Sequence, residues 1–211
     1  MNIRQLLVDL GDLPYYRKLE QELTGMENVL DLGCGSNSPL AKVKKTFHSV
    51  GVDIFEPAIK KSIKLKIHDE YKISSVLEAD KKFKASSFDA VIALDLIEHL
   101  NKADGVKLIK MMSKLAKKKV IIFTPNGYYN QDPYENNPYQ VHRSGWGVDD
   151  FNENGFNRTY GMRGLKWLRG EYATIRFKPW AVWAAISTIS QFVVYNIPRF
   201  AHQLLAVKDI N

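Results

Sequence analysis

Four groups of residues in this 211-residue chain have the types and spacing to do chemistry. The first is the run Asp31-Leu32-Gly33-Cys34-Gly35-Ser36-Asn37-Ser38. Glycines at 33 and 35 permit a tight turn and let a ligand press on bare backbone. A carboxylate two residues before the first glycine repels a pyrophosphate and suits a cationic group there. The second is Asp53, at the end of the next apolar run. A carboxylate so placed takes both hydroxyls of a ribose. Together they read as a cradle for a nucleoside with a positively charged tail. The third group, Asp95-Leu96-Ile97-Glu98-His99, follows the apolar run FDAVIAL. The fourth is His142, in the segment Gln140-Val141-His142-Arg143-Ser144-Gly145-Trp146 beyond Tyr128 and Tyr129. Imidazole is the usual base near neutral pH, so His142 and His99 are the catalytic candidates, and Arg143 could pair with an anion. Each has a plainer reading, as a hydrogen-bonding loop residue or part of a capping pair. Cys34 reads as a small packed residue and not a nucleophile. The pattern names no metal ligands.

These residues need elements to position them. Asn28 to Leu32, His48 to Ile54, Phe88 to Leu94 and Lys119 to Thr124 are apolar runs of strand length. Ser38 is a good N-cap with Pro39 behind it, which predicts a helix from Pro39 to about Thr46. Further helices are predicted over Pro57 to Lys66 and Lys102 to Ala116, and one before the first strand, Tyr15 to Thr24. A short strand is expected between His68 and Asp80. Strands alternating with helices predict a parallel sheet covered on both faces. Ligands of such sheets bind outside the carboxyl ends of the strands, where all four groups fall.

VLDLGCG, GVDI, SSFDAVIALDLIEHL and VIIFTPNG, in this order, resemble the class I S-adenosylmethionine-dependent methyltransferases, most closely those acting on small molecules. Their cofactor carries an adenosine, a sulfonium and an α-amino group, which matches the cradle. The resemblance covers Glu27 to Asn126 well. It implies an α/β, Rossmann-like, doubly wound and mostly parallel seven-stranded sheet with an antiparallel last strand, expected at His202 to Lys208. By the same resemblance Asp31, Gly33, Cys34 and Gly35 line the methionine part of S-adenosyl-L-methionine, Asp53 holds the ribose and Ile54 packs on the adenine. Ser75, followed by Val76, stands where the family usually has Asp meeting the adenine amino group. Asp95 and Leu96 lie beside the sulfonium. The helix before the first strand often closes over the cofactor, which brings Tyr15, Tyr16 and Arg17 towards the site. Asn136-Asn137-Pro138-Tyr139 faintly resembles an amino-group methyltransferase signature but stands at the wrong strand.

Thirty Lys and Arg against 23 Asp and Glu give a formal charge of +7, and Cys34 is the only cysteine, so no intramolecular disulfide is possible. The composition excludes a disordered, collagen-like or multi-span membrane chain. The expected organisation is one domain over 1–211: a cofactor core at 27–126, an acceptor-side loop and helical insertion at 127–200, and the last strand at 201–208. The loop from Asn126 to Trp146 is long enough for a lid. Residues 179–198 carry no charge. They fit a packed insertion, a membrane-surface helix or a bare span, and the return of the chain to the sheet at His202 opposes the span. The expectation is a cytoplasmic enzyme, with possible contact at the inner membrane face, that methylates a small-molecule, sugar or lipid-linked acceptor at oxygen. Nucleic acid or protein acceptors rank second, and a non-catalytic binding module third. The N-terminal residues lack the apolar core of a signal peptide.

Overall fold

The computed structural model describes residues 3–133 and 137–210. Seven strands form one sheet in the order β3-β2-β1-β4-β5-β7-β6. They are β1 (Asn28–Leu32), β2 (His48–Asp53), β3 (Glu70–Ile73), β4 (Phe88–Leu94), β5 (Ala116–Pro125), β6 (Arg158–Leu165) and β7 (Ala201–Asp209). The pairs from β3 through to β5 are parallel, while β7 runs antiparallel to both β5 and β6. Every residue of β4 is buried, as a central parallel strand covered on both faces requires. The order reverses at β1 and β4, and the crevice outside their carboxyl ends is the expected ligand site.

One apolar cluster fills the face with Leu30, Val91, Leu108, Met112 and Ile122, another the opposite face with Leu19, Val29, Ile92, Phe123 and Leu205. Helix α4 (Lys102–Leu115) starts where Asn101 accepts the Asp104 N–H, and buries Leu108, Ile109, Met112 and Leu115. The other main helices are α1 (Ile3–Leu23), α2 (Glu56–Leu65), α3 (Ala79–Lys82), α5 (Val148–Glu153) and α6 (Trp180–Val194).

Several expectations change. The predicted helix at Pro39 to Thr46 is a single 3-10 turn, Pro39–Lys42, ending in extended backbone at Val43. Ser38 does cap it, accepting from Leu40 N–H, but too few residues precede β2 for a longer helix. The helix expected over Tyr15 to Thr24 begins a dozen residues earlier, at Ile3. Strand β6 was not foreseen. Its sequence RTYGMRGL is interrupted by glycines, and its pairing with β7 carries a bulge between Met162 and Leu165. Residues 180–194 form a packed helix on β6. Among the described residues no helix is long and apolar enough to cross a membrane.

The fit of α6 on β6 is backbone-close. A methyl group added at Gly161 would lie 2.0 Å from the Val194 carbonyl oxygen, and one at Gly164 2.1 Å from that of Ser187. Gln191 bridges the two elements, donating to Gly161 O and accepting from Gly164 N–H. Two glycines in β6 are therefore the condition for α6 to lie where it does.

Candidate active site

Two cavities of about 600 and 620 Å³ open at the carboxyl ends of the strands. Asp95, Gln140 and Arg163 belong to both walls, so the cavities meet there.

The first cavity is formed by the β1 turn. Gly33 (φ 71°) and Gly35 (φ 55°) take the left-handed conformation that glycine adopts freely. A methyl group on Gly35 would have no atom nearer than 4.0 Å, so bare backbone faces the cleft there. Gly33 is tighter, because a methyl group would collide with Leu96 at 2.5 Å. Leu96 thus supports the turn from beneath. Asp53 braces it from the side: Oδ2 accepts from Gly35 N–H at 2.9 Å and Oδ1 from Phe55 N–H at 2.8 Å. Burial raises the Asp53 pKa, against the pull of these two N–H groups. The Gly35, Cys34 and Ser38 backbone, Phe55 and Tyr16 line this cleft.

Asp31 stands behind the turn. Its Oδ2 accepts from Ser38 Oγ at 2.6 Å and meets His68 Nε2 at 2.9 Å, all three residues being buried. A carboxylate held in this way fixes the shape of the turn from within. The Cys34 thiol is buried and its pKa raised by burial, as expected of a packed residue. Ile54 is exposed, Val76 is buried in the core, and the Ser75 hydroxyl caps the 3-10 turn that follows by accepting from Leu77 N–H. None of these three lines the cleft wall, and neither do Asp31, Asp53 or Leu96, which stand behind it, whereas Gly33, Cys34, Gly35 and Asp95 do. Tyr16 does line it, whereas Tyr15 is buried in a stack on Phe123 with ring centroids 3.8 Å apart, and Arg17 faces solvent.

The second cavity lies between the β4 and β5 ends, α1 and α6. It gathers Glu98, His99, His142, Tyr129, Arg169 and His202. His142 reaches Glu98 because Arg143 and Ser144 both donate their N–H groups to the Glu98 carbonyl. Farther on, Gly127 N–H donates to Trp146 O at 2.8 Å, and the Trp146 ring is buried against Gly105 of α4. The segment expected to be a lid is therefore anchored at its far end. Its residues 134–136, which include Asn136, lie outside those described. Asn137 accepts from Tyr139 N–H and caps a 3-10 turn.

The His99 and His142 ring centroids are 4.9 Å apart. Burial, with His142 adding to it, lowers the His99 pKa to about 4, and burial lowers that of His142. His99 is therefore a neutral imidazole at pH 7, and the shift at His142 favours its neutral form too. Burial and Asp95 raise Glu98 to about 8, while burial raises Asp95 to about 6 against the opposing pull of Arg163. Thr124 Oγ1 donates to Glu98 Oε2 at 2.9 Å.

Sequence reasoning missed the two arginines. Arg163 sits in the β6 bulge at φ 60° and is turned into the junction, where its Nε lies 2.7 Å from Asp12 Oδ1. Burial disfavours this cation, but Asp12 and Asp95 outweigh it and raise its pKa. Arg169 donates to Arg163 O and Ser187 Oγ and lines the second cavity. Burial, then the neighbouring Arg163 charge, lower its pKa. Arg143, the cation read from sequence, is exposed and outside this wall. The bulge is the signal that pattern reading could not supply.

A doubly wound sheet with this strand order, a glycine turn braced by two carboxylates, and a second cavity at the tip of β4 are the features of a domain that binds a nucleotide-type cofactor beside a second ligand. The sequence profile of the Methyltransferase domain family matches residues 11–168, and the chain belongs to that family. It is an S-adenosylmethionine-dependent methyltransferase, and the Gly35 cradle and Asp53 suit that cofactor. The uncharacterized protein MJ0638 of Methanocaldococcus jannaschii is 26% identical over 165 residues, 75% of this chain and 70% of that protein. The crystal structure of a SAM-dependent methyltransferase from Archaeoglobus fulgidus superposes with a TM-score of 0.60 at 19% identity, covering 99% of this chain and 94% of that one. The small RNA methyltransferase HEN1 superposes at 0.59 and 18% identity over 97% of this chain and 26% of that one.

Proposed function

We propose that the enzyme transfers a methyl group to a hydroxyl oxygen of a small acceptor carrying an anionic group, presented at a lipid surface. The observation that carries this is the junction of the two cavities at Asp95 and Arg163. The first cavity takes the nucleoside, with Asp53 at the ribose hydroxyls and Gly33, Cys34 and Gly35 along the methionine portion. S-adenosylmethionine, when bound, supplies a methyl group already activated by a sulfonium. The chain's own task is to align the acceptor and exclude water.

Neutral His99 and His142 offer nitrogen lone pairs to the acceptor hydroxyl from which a proton must leave. Asp12 and Asp95 flank Arg163, whereas Arg169 forms no ion pair among the described residues and feels the Asp12 charge less than the repulsion of Arg163. It is the cation free to meet a phosphate or carboxylate on the acceptor. The rim supports a lipid setting. Trp180, Val8 and Leu7 border the cavity, and on α6 Phe192 is 84% and Ile189 67% exposed. Lys178 and Arg199 flank that helix, which suits anionic headgroups.

The test is S-adenosylhomocysteine release with lipid-extract and aqueous acceptor pools, with and without anionic vesicles. Turnover confined to the lipid pool and lost in Arg169→Met is the expected result. Turnover on RNA that falls steeply with salt would replace this reading with the nucleic-acid one that the +7 charge favours.

A further inference from the structure

We infer that Glu98, His99 and His142 form a binding site for one divalent transition-metal ion, open towards the acceptor cavity. This deepens the reading above, because the ion would sit where the acceptor oxygen enters. One donor atom from each side chain lies within 4.8 Å of the other two. These side chains bond to Thr124, Val141 and Tyr129 and not to one another. Three donor atoms thus converge, two on the buried Glu98 and His142 and one on the half-buried His99, without a proton shared between them. A cation at the centre would accept from all three at once.

The surroundings are built as metal ligands require. His142 Nδ1 lies 2.8 Å from the Tyr129 carbonyl oxygen, and His99 Nδ1 3.3 Å from that of Val141. A carbonyl only accepts, so this contact puts the His142 proton on Nδ1 and its lone pair on Nε2, and the longer one at His99 suits the same tautomer. Backbone carbonyls behind the remote nitrogen orient a ligating imidazole and fix its tautomer. Glu98 is fixed too, by Thr124 at Oε2 and through its own carbonyl by the Arg143 and Ser144 N–H groups.

Two imidazoles and one carboxylate select a borderline ion such as Zn²⁺, Fe²⁺ or Mn²⁺ over Mg²⁺ or Ca²⁺. Three protein ligands leave positions open on the cavity side, the arrangement of a catalytic and not a structural ion. A hydroxyl oxygen bound there would become more acidic, so with the ion present His99 and His142 would serve as its ligands in place of the base role given above, and the proton would pass to water.

The test uses the full untagged chain, stripped with a chelator. Titration with Zn²⁺ by calorimetry should give one site per chain. Cobalt substitution should give two strongly shifted, exchangeable proton signals, one from each imidazole Nδ1–H. Glu98→Gln and His142→Ala should each weaken binding by about 100-fold or more, since loss of supporting partners alone costs 10- to 100-fold. Circular dichroism and S-adenosylhomocysteine binding check that the variants fold. Wild-type affinity no better than that of His142→Ala, or a cobalt spectrum without shifted imidazole signals, overturns the site. The cobalt result stands on the wild-type chain whether or not the variants fold. S-adenosylhomocysteine uptake by the stripped protein is scored separately, so failure of the metal site and failure of the methyltransferase reading are distinguishable.

Discussion

Replacing Asp53 by Ala tests the nucleoside cradle most directly. Each Asp53 oxygen already accepts one backbone N–H, from Gly35 and from Phe55. Each keeps lone-pair capacity for one ribose hydroxyl. Removing the carboxylate therefore deletes two charge-assisted hydrogen bonds to the ligand, worth roughly 1.5–3 kcal/mol each. At 1.4 kcal/mol per tenfold, the sum of about 3–6 kcal/mol predicts S-adenosylmethionine binding weaker by about 10²- to 10⁴-fold. The same change strands the Gly35 and Phe55 N–H groups, at about 1–3 kcal/mol of stability where they stay dry. For a chain of this size that lowers Tm by roughly 2–4 °C per kcal/mol. Calorimetry with S-adenosylmethionine and thermal unfolding without it separate the two effects. A dissociation constant within threefold of wild type, in a folded variant, would refute the assignment of Asp53 to the ribose.

Other outcomes follow from the geometry. Gly161→Ala places a methyl group against the Val194 carbonyl; urea unfolding should show a loss of about 3 kcal/mol. Burial, with Arg169 and then Arg163 adding to it, lowers the His202 pKa well below its usual value. Its folded state therefore resists protonation, and stability that is intact above the unfolded pKa of about 6.5 drains away as pH falls below that value. His202→Gln should flatten this acid limb in chemical denaturation at pH 7, 6 and 5, and an unchanged slope would count against it. Phe192→Glu, on the outward side of α6, should leave stability within about 0.5 kcal/mol while lowering co-sedimentation with anionic vesicles. Equal co-sedimentation would remove α6 from the lipid contact.

The parallel core was legible because burial on both faces forces continuous apolar runs, and β1, β2, β4 and β5 each show one. The glycine turn was legible because left-handed backbone at Gly33 and Gly35 is a property of the residue itself. Asp53 was found by its place at a strand end, and the structure puts it at the turn. Local signals failed where the deciding partner is distant in sequence. The short turn after Ser38 has a helix's cap and proline, yet Val43 must already be extended to enter β2. Strand β6 carries glycines and an inward arginine that weaken any strand pattern; the packing of α6 explains Gly161 and Gly164, and the carboxylates of Asp12 and Asp95 explain Arg163.

The amino-acid order by itself determined the fold class and the glycine turn beside Asp53, since strand burial, turn conformation and capping act over a few neighbouring residues. Tertiary structure decided the second cavity. Glu98 and His142 meet because backbone N–H groups of a remote loop bind the Glu98 carbonyl, and Arg163 enters the junction because a bulge turns it inward. Contacts of that kind depend on how separate segments are closed against one another, and no local spacing encodes them.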